Sequence, residues 1–236
     1  MTSLLAFDTA TERMAVGVVH DGRTWTRDAD GGARASAALI PLVFELLAEA
    51  GIGLAELDAI AFGRGPGAFT GLRTACAVAQ GLAYGAGKPV LAIDTLLVVA
   101  EDARGGSAGD DVWAVTDARM GEIYAARYRR DAQRWQSVQP PMLTDAEALA
   151  ERWRQAPAAA VAGNALVAFG ERLATRGARR FADAAPRAEA LLRLASEAWR
   201  DGAAVDPMHA LPLYVRDKVA ETTHERDAAR AAAPAR

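Results

Sequence analysis

Leu4-Leu5-Ala6-Phe7-Asp8-Thr9-Ala10-Thr11-Glu12-Arg13-Met14-Ala15-Val16-Gly17-Val18-Val19 opens the chain, and its reading decides the fold. Leu4–Thr9 is a short apolar run ending around Asp8, as a buried strand does. A turn at Ala10–Arg13 leads into a second strand, Met14–Val19. Asp21-Gly22 is a strong hairpin signal and makes Thr24–Arg27 a third strand. The pattern returns about 110 residues later. Val112–Asp117 is again an apolar run ending in Asp, Arg119-Met120-Gly121 is a turn, and Ile123–Tyr128 is the answering strand. A repeated strand–turn–strand predicts two related subdomains.

After the first hairpin, Leu39–Ala50 has helical character, with Pro41 in the first turn and Gly51 as the stop. Leu57–Phe62 is a buried strand. A glycine-dense loop follows, and Thr70 is placed to cap a helix running to Tyr84. Pro89–Ile93 is a further strand. Three strands, helix, strand, helix, strand is the layout of an RNase H-like α/β domain with a mixed sheet. In the second half, Glu147–Arg154, Asn164–Thr175 and Ala188–Trp199 read as helices and Ala158–Ala162 as a strand. The expected division is 1–95 for the first subdomain and 96–215 for the second, its last segment folding back on the first. The charged, Ala-rich stretch 216–236 reads as a disordered tail.

Composition narrows the function. The chain has 236 residues, 51% of them hydrophobic, and a formal charge of −3. That apolar share builds a core and excludes wholesale disorder. The charge argues against a dedicated nucleic-acid coat, so tRNA binding by the isolated chain is expected to be weak. Cys76 is the only cysteine, which excludes a disulfide framework and any Cys-based zinc site. His20, His209 and His224 lie far apart, without metal-ligand spacing. No apolar run reaches the roughly 18 residues of a membrane span. Met1–Leu5 has no basic leader. A cytoplasmic protein is expected.

The loop Gly63-Arg64-Gly65-Pro66-Gly67-Ala68-Phe69 could present backbone amides and a helix N-terminus to an anion. It lacks the Gly-Lys-Ser/Thr ending of a Walker loop, and its glycines are misplaced for GxGxxG. A tight turn that seats the following helix explains it as well. Asp8 and Asp117, each ending a strand before a turn, could hold a metal–phosphate unit, or could cap their own turns. Ala10 stands where a glycine would let phosphate approach. Asp8, Thr9, Gly63, Arg64, Gly65, Gly67 and Thr70 are thus the candidate nucleotide or anion loop. Cys76, mid-helix among Ala75, Ala77 and Val78, reads as packing.

The two helices carry more apolar surface than one sheet can cover. Leu39, Leu42, Val43, Leu46 and Leu47 make one face, and Ile40 and Phe44 extend it round the side. The second helix has only Arg73, Gln80 and the Thr70 and Thr74 hydroxyls as polar side chains, with Gly71, Ala75 and Ala79 at four-residue spacing. A second chain is the expected cover. The candidate interface is Leu39, Ile40, Val43, Phe44, Leu47, Gly71, Leu72, Ala75, Cys76 and Ala79. Ala75→Glu or Ala79→Arg is expected to break that interface and leave the monomer folded.

With these residues on the page, the chain resembles the bacterial TsaB/YeaZ family of tRNA threonylcarbamoyladenosine biosynthesis. The match runs in order through Asp8-Thr9-Ala10-Thr11, Leu39-Ile40-Pro41, Leu57–Phe62, the eleven-residue block Gly63–Arg73, Val78–Ala83, Asp117–Glu122 and Pro212-Leu213-Tyr214-Val215-Arg216. The resemblance implies an actin-like ATPase (ASKHA) fold of two RNase H-like subdomains, with no catalytic residues and no metal of its own. It implies a partner, the TsaD-type metalloprotein that transfers threonylcarbamoyl to the adenosine at position 37 of tRNAs reading ANN codons. A TsaE-like ATPase completes the assembly, the chain has no cofactor of its own although the complex interface could take ATP or ADP, and tRNA is met only through the complex. Pairing is implied through helices 39–50 and 70–84, with a homodimer when the partner is missing. The catalytic relative holds its metal with a histidine pair on the helix corresponding to 35–50, where this chain has Ala35-Ser36-Ala37-Ala38. Ala68 replaces the family's frequent Ser. The competing expectation is a nucleotide-dependent kinase or hydrolase using Asp8 and Asp117.

Overall fold

The computed structural model describes residues 2–32, 35–131 and 134–216. Two five-stranded mixed sheets carry the fold, in the orders β3-β2-β1-β4-β5 and β10-β9-β6-β7-β8. In the first, β1 (Leu4–Asp8), β2 (Arg13–His20) and β3 (Arg23–Asp30) are antiparallel, and β4 (Ala59–Gly65) and β5 (Val90–Asp94) add in parallel. In the second, β6 (Asp111–Arg119), β7 (Glu122–Asp131) and β8 (Arg134–Thr144) are antiparallel, and β9 (Ala160–Ala162) and β10 (Arg179–Phe181) run parallel. The second order is the first with each strand replaced by its counterpart five positions on. The two aspartates fall at matching places. Asp8 pairs with Ala15 across β1–β2, and Asp117 with Ile123 across β6–β7. Each closes the same small turn, Ala10 N–H donating to Asp8 Oδ1 at 2.6 Å and Arg119 N–H to Asp117 Oδ1 at 2.8 Å.

Helices cover both faces of each sheet, which is why β1, β4 and β9 and the middle of β6, Val112–Val115, are apolar nearly throughout. On the first sheet, α1 (Ala35–Ala50) and α2 (Phe69–Ala86) pack one face around Phe7, Val16, Ile60 and Phe62. The other face is covered by α6 (Ala188–Arg200), whose Leu191, Leu192 and Leu194 lie on Leu4, Ala6, Ala61 and Leu91. On the second sheet, α3 (Thr95–Gly105) covers the inner face, and α4 (Ala146–Gln155) and α5 (Ala165–Ala168) the outer. The chain therefore crosses between the sheets twice, and α3 and α6 meet in the middle layer. Glu101 of α3, fully buried, ties that layer together. Arg104, Arg193 and the Trp135 indole all donate to its carboxylate at 2.8–2.9 Å. Burial alone would raise its pKa, but those donors prevail and hold it at about 2.

Several local expectations are corrected. The described part of α1 begins at Ala35, so Pro41 lies inside the helix; it sits on the solvent side, where the unbonded carbonyl behind it can be hydrated. Helix α2 starts at Phe69 after Ala68, and Thr70 is exposed and caps nothing. The helix expected over Asn164–Thr175 is only α5 and a single 3-10 turn, because Gly170 takes φ +53° and turns the chain out of the helix. Of the stretch read as a tail, Arg216 is described and pairs with Glu122 at 2.6 Å; residues 217–236 lie outside the described residues. Among the described residues no helix is long and apolar enough to cross a membrane.

Candidate functional site

The glycine block lies against the β1–β2 turn. A Cβ on Gly63 would sit 1.8 Å from Asp8 Oδ2, one on Gly71 would sit 1.9 Å from the Thr9 carbonyl oxygen, and one on Gly67 would meet the Ala10 carbonyl at 2.3 Å. Only glycine permits that approach. The loop's donors turn inward as well. Gly65 N–H donates to the Thr95 hydroxyl, Ala68 N–H to the Ala10 carbonyl, and the Thr9 hydroxyl to the Gly71 carbonyl at 2.7 Å. The Arg64 guanidinium is paired with Asp94 at 2.5 Å. Asp8 is 1% exposed beneath Gly63, and its second oxygen accepts from the Thr95 hydroxyl at 2.7 Å. Burial pushes its carboxyl up, and the Ala10 amide and Thr95 hydroxyl counter this only in part. Asp8, Thr9, Gly63 and Gly65 thus come together as a packed unit that faces the protein, while Thr70 stands exposed outside it.

Between the halves lies a cleft of about 480 Å³. It is lined by the two matching turns, Ala10–Glu12 and Thr116–Arg119, together with Gly67–Phe69, Asn164 and the segment Leu213–Arg216. Gly67 is the member of the anion-loop set that reaches it. Asp117 lines it, but its backbone N–H is taken by Asn164 Oδ1 at 2.9 Å and its carboxylate by Arg119. Arg119 also pairs with Glu12 across the mouth, joining the two subdomains. The charged groups here are balanced in pairs.

Helices α1 and α2 pack side by side, yet most of the residues expected to meet a partner point the other way. Leu39, Val43, Leu47, Gly71, Leu72, Ala75, Cys76 and Ala79 are all buried, seven of them among the hydrophobic core residues. Gly71 and the small side chains of Ala75 and Ala79 let α2 lie close to its own subdomain. That corrects the expectation for Ala75→Glu and Ala79→Arg, which would put a charge in the core. Cys76 Sγ donates to the Ala210 carbonyl at 3.3 Å, and burial pushes the thiol up. Ile40 and Phe44 do face outward, 43% and 47% exposed. With them stand Ala77, Gly81 and Tyr84 of α2, the last 85% exposed. Gly81 and Gly85 have nothing within 4 Å of a would-be Cβ, so this stripe is bare of side-chain cover. The sequence offered a single hint, Arg73, with Ala77 and Gly81 at four-residue steps from it, but one charge does not fix the phase of a helix.

Two RNase H-like halves facing a shared cleft define a protein of the actin-like fold. A family model described as "TsaD: tRNA N6-adenosine threonylcarbamoyltransferase" matches residues 32–223. The TsaB protein of Escherichia coli, named as a tRNA threonylcarbamoyladenosine biosynthesis protein, is 34% identical over 92% of this chain and 96% of its own length. The solved structure of YeaZ from Pseudomonas aeruginosa superposes with a TM-score of 0.83 at 39% identity, covering 91% of this chain and all of that one. A second Pseudomonas aeruginosa structure, described as an uncharacterized protein with similarity to peptidase YeaZ, gives 0.84 at 39% identity over 92% of this chain and all of that one. The chain belongs to the TsaB/YeaZ family of tRNA threonylcarbamoyladenosine biosynthesis proteins.

Proposed function

We propose that this chain serves formation of threonylcarbamoyladenosine in tRNA as a non-catalytic partner of a TsaD-type transferase. The observation that carries this is the bare outer stripe of α1 and α2, with Ile40, Phe44 and Tyr84 exposed beside Ala77 and Gly81. Desolvating such a surface supplies attraction at roughly 25 cal/mol per Å² before association costs. The small residues allow a partner's helices to come close. The absence of catalysis is supported by where the candidate groups lie. Asp8 is sealed under Gly63, and Cys76 is a buried thiol bonded to a carbonyl, an arrangement unsuited to a peptidase nucleophile. In this reading the TsaE-like ATPase, ATP or ADP, and tRNA are met by the assembled complex. A nucleotide-dependent kinase or hydrolase has weaker support, since only Asp117 of its two aspartates lines the cleft.

The test uses Ala77→Glu and Gly81→Glu, both in open positions. Each should fold like the parent and lose binding to the TsaD-type protein by about a hundredfold, the effect of an unpaired charge in an interface. If both variants bind like the parent, the docking surface lies elsewhere. Steady ATP turnover abolished by Asp117→Ala would favour the enzyme.

A further inference from the structure

Residues 211–216 touch both halves of the molecule. At one end Leu213 N–H donates to the Arg64 carbonyl at 2.7 Å, and the Tyr214 ring rests on Phe69 with centroids 5.3 Å apart. At the other end Arg216 donates to the Ala118 carbonyl at 3.0 Å and pairs with Glu122 at 2.6 Å, the first near the end of β6 and the second at the start of β7. Between these anchors Leu213, Tyr214, Val215 and Arg216 form one wall of the cleft. The segment is therefore a strap across the two subdomains.

Arg73 joins the strap to the outside. It is exposed on the outer stripe of α2, yet its Nε donates to the Tyr214 hydroxyl at 3.1 Å and its guanidinium lies 3.7 Å above the Phe69 ring. One side chain thus holds both aromatic partners of the strap while facing the surface where a second chain would dock.

We infer that Arg73, Tyr214 and the strap form a relay by which engagement of the α2 outer face is felt at the cleft. An acidic partner side chain that draws the guanidinium away releases Tyr214 and loosens the cleft wall as far as the Arg216 anchor. The inference rests on the docking surface proposed above, but its test needs no partner, so the two can fail separately. The second tie across the cleft, Arg119 to Glu12, is exposed on both sides and restrains the halves weakly.

Residue-resolved hydrogen exchange on the full chain is the measurement. Arg73→Ala should speed exchange of the Leu213 amide about tenfold, the effect of losing a hydrogen bond and a cation–π contact. It should also speed exchange at Arg119, across the cleft, while strand β1 is unchanged. Tyr214→Phe, which keeps the ring and loses the hydroxyl, should give the same pattern more weakly. Ala77→Glu, on the same face, should leave both sites as in the parent. A faster Leu213 with Arg119 unchanged would overturn the relay, as would acceleration that includes β1 or no change at Leu213.

Discussion

The two halves share a topology and differ in what their outer helices offer the solvent. On the second half, α4 turns Glu147, Arg152, Arg154 and Gln155 outward, with Arg154–Glu151 and Arg172–Glu147 ion pairs along it. On the first half, α1 and α2 turn Ile40, Phe44, Ala77, Gly81 and Tyr84 outward. One sheet architecture is thus covered twice, once with a charged outer face and once with an apolar one. The turns differ in the same sense. Asp8 is enclosed by the glycine block, and Asp117, with no such block above it, stands at the cleft. What distinguishes the halves is surface chemistry laid over a common fold.

The sharpest way to break the comparison is on α2 itself. Ala79→Arg, with Ala79 wholly buried, should cost several kcal/mol and leave little folded protein, as read by circular dichroism on heating. On α4, Ala148→Glu is exposed and should leave the melting curve within about 0.5 kcal/mol of the parent.

Glu101 tests what holds the halves together. Its folded pKa of about 2 lies below the ordinary 4.5, so its stabilisation is fully present above pH 4.5 and is lost as pH falls toward 2. That change amounts to about 3 kcal/mol. Denaturant unfolding at a series of pH values should show parental stability falling through this window, with a flatter profile for Glu101→Gln. Equal slopes would mean the arginines do not set its titration.

Asp8 should behave in the opposite sense. Its folded pKa is raised, so its charged form destabilises the native state above the ordinary value near 3.8, and the penalty vanishes at lower pH. Asp8→Asn keeps the shape and removes the charge. At pH 7 it should match or exceed the parent by up to about 1 kcal/mol, with the gain shrinking in acid. A loss of several kcal/mol at pH 7 would show that the carboxylate is needed in its ionised form. The smallest stability effect belongs to Gly81→Glu, which should unfold like the parent within about 0.5 kcal/mol.

Much of the fold was legible because it is written in short-range periods. The runs ending at Asp8 and Asp117 and the Asp21-Gly22 turn follow from alternation and turn chemistry alone, and both turn residues take the positive φ that such a hairpin needs. Helix α3 was not legible, since Thr95–Gly105 continues straight from β5 without a turn and is buried on most sides. Strand β8 was hidden by Pro140 and Pro141, which a sheet accepts there only because β8 is an edge. The candidate interface was half legible. An excess of apolar and small residues on α1 and α2 is a property of composition, but which stripe faces the sheet is a property of packing.

By itself, then, the sequence determined the elements that repeat, the turns that join them, the family, and the surplus of apolar helix surface. Each element, turn and helix face depends on neighbours within about four residues along the chain, and the repeat and the family on the order in which such local patterns follow one another. The tertiary structure alone decided that Ala75 and Ala79 turn inward and Ala77 and Gly81 outward, and that α6 returns to the first sheet. It also decided that Glu101 finds Arg193, 92 residues away, and that Arg73 finds Tyr214, 141 residues away. Helical phase and ion pairing at that separation are set by which surfaces meet when the core closes, and no local pattern carries that information.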